Sequence, residues 1–174
     1  EITSWGVGTH LITAKDCPSF GGVYKLAAIM KDGEFIPKIK LSENTEKVTN
    51  PGNKKIIRVY EKKYNKIKAD LICLDDENFN ENDDLTLFDP KEPWKKTVMK
   101  AGTYTLRELM VPLFIKGEYV GKKKAVMDIR EYCMQELDTL WNETRRLVNP
   151  HNVYVDLSQK LYDIKIQLLK DMGR

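Results

Sequence analysis

The chain has 174 residues, 29 Lys+Arg against 26 Asp+Glu for a net charge of +3, and is 41% hydrophobic and 32% charged. That much apolar material supports a core and excludes a disordered chain or a strongly charged tail protein. No run approaches the ~18 apolar residues of a membrane helix, so the expectation is a soluble, cytoplasmic protein with no membrane partner. Three widely spaced cysteines (Cys17, Cys73, Cys133) and two histidines (His10, His151) form no zinc-type spacing, and no metal site is expected.

In chain order, Glu1–Trp5 reads as a short strand. The sequence opens inside it, without Met, so an upstream segment is expected. Gly6-Val7-Gly8-Thr9 breaks the strand, and His10–Lys15 fits one or two helical turns. Val23–Ile29 reads as a strand covered on both faces. Lys31-Asp32-Gly33-Glu34 is a turn, and Lys38–Leu41 alternates as a half-buried strand does. Ser42 suits the N-cap of a short helix at Glu43–Lys47. Lys55–Tyr60 and Ile67–Leu74 are strands joined by a tight turn at Tyr64-Asn65.

Asp75–Asp84 holds six acids and three Asn in ten residues, a loop without the glycine and twelfth-position Glu of a calcium loop. Leu85–Phe88 and Thr97–Lys100 are further strands, Tyr104–Met110 is mixed, and Phe114–Val120 holds a Lys-Gly-Glu turn. The apolar stripe Ile129, Cys133, Leu137, Leu140, Trp141, Leu147 predicts one long helix stopped by Asn149-Pro150. Asp156 is the expected N-cap of a last helix carrying Leu157, Leu161, Ile164 and Leu168. Strands first and helices last make an α+β pattern.

The sharpest chemical feature is the Gly6-Val7-Gly8-Thr9 turn. Glycines let backbone N–H groups approach an anion, and the Thr9 hydroxyl adds a donor. His10 follows and could meet the same phosphate. It has no second His nearby to form a catalytic pair. The alternative reading of the turn is a plain connection. A second feature is the ribbon Lys54–Lys68, with seven basic residues and interleaved Tyr60 and Tyr64. It could make the chain a nucleic-acid-binding module. The near-neutral whole argues against nucleic acid and for a solvated hairpin face. A third reading is an oligomerisation domain acting through the helices at Ile129–Leu169.

Several blocks together resemble nicotinate phosphoribosyltransferase: Gly6-Val7-Gly8-Thr9, Cys17–Leu26, Lys40-Leu41-Ser42-Glu43, Glu46–Lys54 and the tail Tyr154–Leu161. The resemblance implies the C-terminal portion of a type II phosphoribosyltransferase, α+β (α/β). Residues 1–20 would end the barrel with its phosphate loop, and 21–75 would be antiparallel strands returning to the sandwich domain. Residues 76–174 would be an extension ending in two helices. It implies an enzyme of NAD biosynthesis that makes nicotinate mononucleotide from nicotinate and phosphoribosyl pyrophosphate, with ATP and Mg2+ used by the parent and neither bound by this chain alone. Gly6, Gly8, Thr9 and His10 would hold the 5′-phosphate, with Thr9 as hydroxyl donor. The family's phosphorylated histidine and nicotinate-binding residues have no counterpart here, so no catalytic residue is expected within this chain. The expected partners are the rest of the same enzyme chain and a second subunit in a homodimer. A complete barrel needs ~250 residues, so the chain alone is expected to be inactive.

Overall fold

The computed structural model describes residues 2–19, 21–43 and 47–173. Its centre is a four-stranded sheet in the order β10-β4-β3-β7. Here β3 is Lys54–Glu61, β4 is Lys66–Leu74, β7 is Tyr104–Glu108 and β10 is Tyr154–Leu157. The long hairpin β3–β4 is antiparallel, with a bulge between Val59 and Tyr60. It forms where the sequence alternates: Ile67, Ala69, Leu71 and Cys73 are buried, and the residues between them are half-buried. Asn65 takes the left-handed turn position (φ 51°), which Asn tolerates better than most residues. β7 pairs antiparallel with β3, and β10 pairs parallel with β4.

A second hairpin, β5 (Leu85–Phe88) with β6 (Lys96–Met99), lies across this sheet. Leu85, Leu87 and Met99 interlock with Val59, Ala69, Leu71 and Tyr104 to make the core. The acidic loop between β4 and β5 is tied down residue by residue. Glu77 accepts from the Leu74 N–H and from Ser158 Oγ, both at 2.7 Å. Glu81 accepts from the Leu106 N–H at 2.7 Å. Asp84 takes Lys100 Nζ at 2.7 Å and the Ala101 N–H at 3.0 Å. The buried Tyr104 hydroxyl lies 2.8 Å from the Asp83 carbonyl. The loop's charge thus anchors backbone donors and lysines.

Smaller hairpins flank this body: β1 (Ala28–Lys31) with β2 (Glu34–Pro37), and β8 (Phe114–Ile115) with β9 (Glu118–Tyr119). The Asp32-Gly33 turn is as expected, with both residues at positive φ. The strands around it are shorter and shifted from the expected Val23–Ile29 and Lys38–Leu41. Tyr24 is 101% exposed, so the expected two-sided cover is absent there. Residues 2–5 belong to no sheet, correcting the expected strand: a strand needs a hydrogen-bonded neighbour, and none of the described residues provides one. The helix expected from Ser42 falls largely on 44–46, outside the described residues.

The long helix divides. α2 spans Val126–Asp138, and a short α3 spans Asn142–Arg145. Tertiary contacts end α2 early. The Ile67 N–H donates to the Thr139 carbonyl at 2.8 Å. Lys66 Nζ reaches the carbonyls of Asp138 at 2.6 Å and Leu140 at 3.0 Å. Trp141 Nε1 donates to the Ile67 carbonyl at 2.9 Å. α4 spans Gln159–Asp171, and its N-cap is Ser158, whose Oγ accepts from the Leu161 N–H at 3.2 Å. Asp156 is therefore no cap; it lies inside β10. Among the described residues no helix is long and apolar enough to cross a membrane.

Candidate functional site

The glycine turn leads into α1, a single helical turn at Thr9–Ile12 capped by Gly8 in extended conformation (φ −116°, ψ −170°). The Leu11 N–H closes onto the Gly8 carbonyl at 3.1 Å, and Thr13 Oγ1 donates to the Thr9 carbonyl at 2.7 Å. The Thr9 and His10 N–H groups, at the start of the turn, have no intrahelical partner. Gly6, Gly8, Thr9 and His10 are all exposed. A Cβ at Gly6 or Gly8 would meet nothing within 4 Å, and neither has a positive φ. Nothing among the described residues therefore demands glycine at these positions.

The four expected site residues are brought together by sequence adjacency. Among the described residues, the hydrogen bonds of 8–17 close within the segment itself or onto Ser19 just beyond it. Among the described residues no cation, acid or second histidine joins them from elsewhere. The surrounding apolar side chains are bare: Ile2, Trp5, Val7, Leu11 and Ile12 face solvent, Trp5 being 75% exposed. A contiguous stretch of this kind is typical of a surface that another element covers.

Four of the seven cations of the basic ribbon make contacts within the fold. Arg58 makes a two-pronged ion pair with Asp70 at 2.7 and 2.8 Å. Arg107 makes another with Glu136 at 2.7 and 2.5 Å, joining β7 to α2. Arg107 also holds the Glu136 carboxyl below the usual range. Lys66 caps the end of α2, Lys54 bonds the Gly52 carbonyl, and Lys63 lies over the Tyr64 ring at 4.8 Å. Fixed in this way, these cations form no free stripe for a phosphodiester backbone.

One site-like group was missed by sequence reasoning. Asp156 is buried yet lines a cleft of about 560 Å³ beside β5–β6, together with Phe88, Trp94 and Tyr154. Burial pushes its carboxyl up, as does the charge of Asp89; Lys68 opposes them. The alternation Tyr154, Asp156 against Val155, Leu157 was the available signal, and the helix that follows obscured it.

A family model described as "Nicotinate phosphoribosyltransferase C-terminal domain" matches residues 53–165, the body that holds the central sheet, α2 and most of α4. The chain belongs to the nicotinate phosphoribosyltransferase family. It is 38% identical over 173 residues to a nicotinate phosphoribosyltransferase of Bacillus subtilis, covering 99% of this chain and 35% of that protein. It is 34% identical over 164 residues to one of Caenorhabditis elegans, covering 93% of this chain and 28% of that protein. The chain thus spans about a third of the length of these relatives and corresponds to their C-terminal portion. The crystal structure of human nicotinic acid phosphoribosyltransferase shares the fold at a TM-score of 0.58 and 20% identity, over 70% of this chain and 24% of that one.

Proposed function

We propose that this chain works as the C-terminal part of a nicotinate phosphoribosyltransferase and supplies its 5′-phosphate loop. The observation that carries this reading is the 38% identity to the Bacillus protein along nearly the whole chain, glycine turn included. In the proposed enzyme, residues 1–20 end a barrel, 21–75 return to a sandwich domain and 76–174 pack outside.

Gly6, Gly8 and Thr9 present backbone N–H groups and a hydroxyl, a donor set that suits a phosphate. The two glycines make sense in this light. Each leaves open space that the chain's own packing does not require, as close approach of a phosphate to the backbone would. His10 stands beside the same phosphate. The loop fixes phosphoribosyl pyrophosphate by its 5′-phosphate while nicotinate attacks C1 and pyrophosphate leaves, giving nicotinate mononucleotide. Its contribution is positioning and charge stabilisation. The loop offers no carboxylate, so its donors suit neither Mg2+ nor the chemistry that ATP supplies to the parent enzyme.

The exposed apolar stretch Ile2–Ile12 is covered in the proposed enzyme by the rest of the chain or by a second subunit. Purified alone, this chain is expected to form no nicotinate mononucleotide from nicotinate, phosphoribosyl pyrophosphate and ATP. Clear turnover would contradict the reading.

A further inference from the structure

None of the 13 residues of α2 is buried. The helix is held to the sheet by polar contacts. Glu136 pairs with Arg107 of β7 and, at 3.7 Å, with Arg58 of β3. At the C-terminal end, Thr139 and Trp141 bond the backbone of Ile67, and Lys66 reaches two carbonyls. Successive helical residues turn by about 100°. Met127 and Met134 therefore point away from Glu136, and Val126 and Leu137 stand about a quarter turn round from it. All four are exposed, Val126 at 80% and Met127 at 64%. A surface helix normally lays its apolar stripe on a core and shows its polar side to water. In α2 a carboxylate meets the sheet and the apolar stripe is bare.

The hairpin β8–β9, just before α2, is in the same condition. Phe114 and Tyr119 face each other across it, ring centres 5.4 Å apart. Both remain exposed, as do Val111, Leu113 and Ile115 beside them. The area of the whole molecule says how much cover is missing. The chain exposes 13714 Å² at 20.2 kDa, where a self-contained folded monomer of that mass exposes about 8,800 Å². The excess is about 5,000 Å² on that scaling. One further copy of the chain is too small a cover: a standard interface takes about 800 Å² from each partner, and a very large obligate one about 2,500 Å². The relatives hold a larger body, since this chain spans 35% of the Bacillus protein and 28% of the Caenorhabditis protein.

We propose that the outer face of α2 and the hairpin β8–β9 are a docking surface for the upstream two thirds of the enzyme chain. Glu136 and the Thr139–Trp141 junction fix the helix to the sheet, and the stripe of Val126, Met127, Met134 and Leu137 is what the upstream part covers. The inference rests on the reading of this chain as the C-terminal part of a nicotinate phosphoribosyltransferase, and adds to it the surface through which the two parts meet.

Cys133 lies on α2 between Ile129 and Leu137 and is exposed, so it reports on this face. The test is alkylation of Cys133 by iodoacetamide, followed by peptide mass spectrometry, in this chain and in a full-length enzyme that carries it as the C-terminal part. In the full-length enzyme Cys133 is expected to react at least about tenfold more slowly than in this chain, at every enzyme concentration. Met127 and Met134 should resist peroxide oxidation there in the same way. Met127→Lys with Met134→Lys changes only side chains exposed in this chain. The pair should leave its urea midpoint unchanged, lower that of the full-length enzyme and restore Cys133 labelling there. Formation of nicotinate mononucleotide, measured in the same samples, reports separately on the enzyme reading. An active full-length enzyme whose Cys133 reacts as fast as in this chain would overturn the docking and leave the enzyme reading standing. Protection of Cys133 in an inactive one would support the docking while the enzyme reading falls. Protection that appears in this chain alone as its concentration rises, or that full-length enzyme loses on dilution, would assign the face to a second copy and overturn the proposal.

Discussion

Asp156 makes a residue-scale claim that stability measurements can check. Its folded pKa is raised by burial first and by Asp89 second, so the folded state binds the proton more tightly than the unfolded chain. A raised carboxyl opposes folding once it ionises: the penalty is complete above the folded pKa and absent below the unfolded value of about 3.9. Asp156→Asn is therefore expected to raise the midpoint of urea unfolding at pH 7, with the gain vanishing as the pH falls towards 4. A loss of stability at pH 7 would show that the carboxylate is paired. The cysteines give a second check. Burial pushes the Cys73 thiol up to about 12, whereas Cys17 and Cys133 are exposed. The native chain should thus react at two thiols with iodoacetamide near pH 8, and at the third only on unfolding. Rapid labelling of Cys73 in the native state would contradict the packing of β4.

At the scale of elements, the division of the expected long helix turns on Trp141. Its stripe position suggested continuation through Leu147, but its indole N–H is committed to the Ile67 carbonyl, and Lys66 draws two carbonyls out of the last turn. Trp141→Phe keeps the ring and removes that bond. It should cost about 1 kcal/mol in chemical denaturation; an unchanged stability would mean that the bond does not hold the junction.

The same comparison shows what was legible in the sequence. Lys55–Tyr60 and Ile67–Leu74 announced themselves as strands, and β3 and β4 match them to within a residue, because two apolar β-rich runs around a tight turn are a local signal. So did Leu85–Phe88 and the turn at Asp32-Gly33. The end of α2 was not legible, since it depends on contacts from residues more than seventy positions away. Nor was β10, a parallel edge strand that exists only because β4 is beside it. Asp156 looked like a cap because Asp before an apolar helix usually is one; Ser158, two residues on, takes that place through bonds to both Leu161 and Glu77.

For the whole molecule, the contrast lies between a packed body and a bare leading segment. Residues 53–165 hold the sheet, its core and the ion pairs Arg58–Asp70 and Arg107–Glu136, and the family model matches this stretch. Residues 2–12 carry apolar side chains into solvent and contain the glycine turn that is proposed to grip a phosphate. The length of 174 suits one domain, yet it is about a third of the relatives' length. The loop was visible in the sequence as residue types and spacing; its use was not, because no other described residue converges on it. The most direct measurement is steady-state kinetics of a nicotinate phosphoribosyltransferase that carries this chain as its C-terminal part, with Thr9→Ala and Thr9→Ser. The proposed role predicts a KM for phosphoribosyl pyrophosphate raised by about tenfold in Thr9→Ala, the worth of one hydrogen bond to a charged group. It predicts a value near the parent in Thr9→Ser and an unchanged KM for nicotinate. Identical phosphoribosyl pyrophosphate kinetics in all three proteins would contradict it.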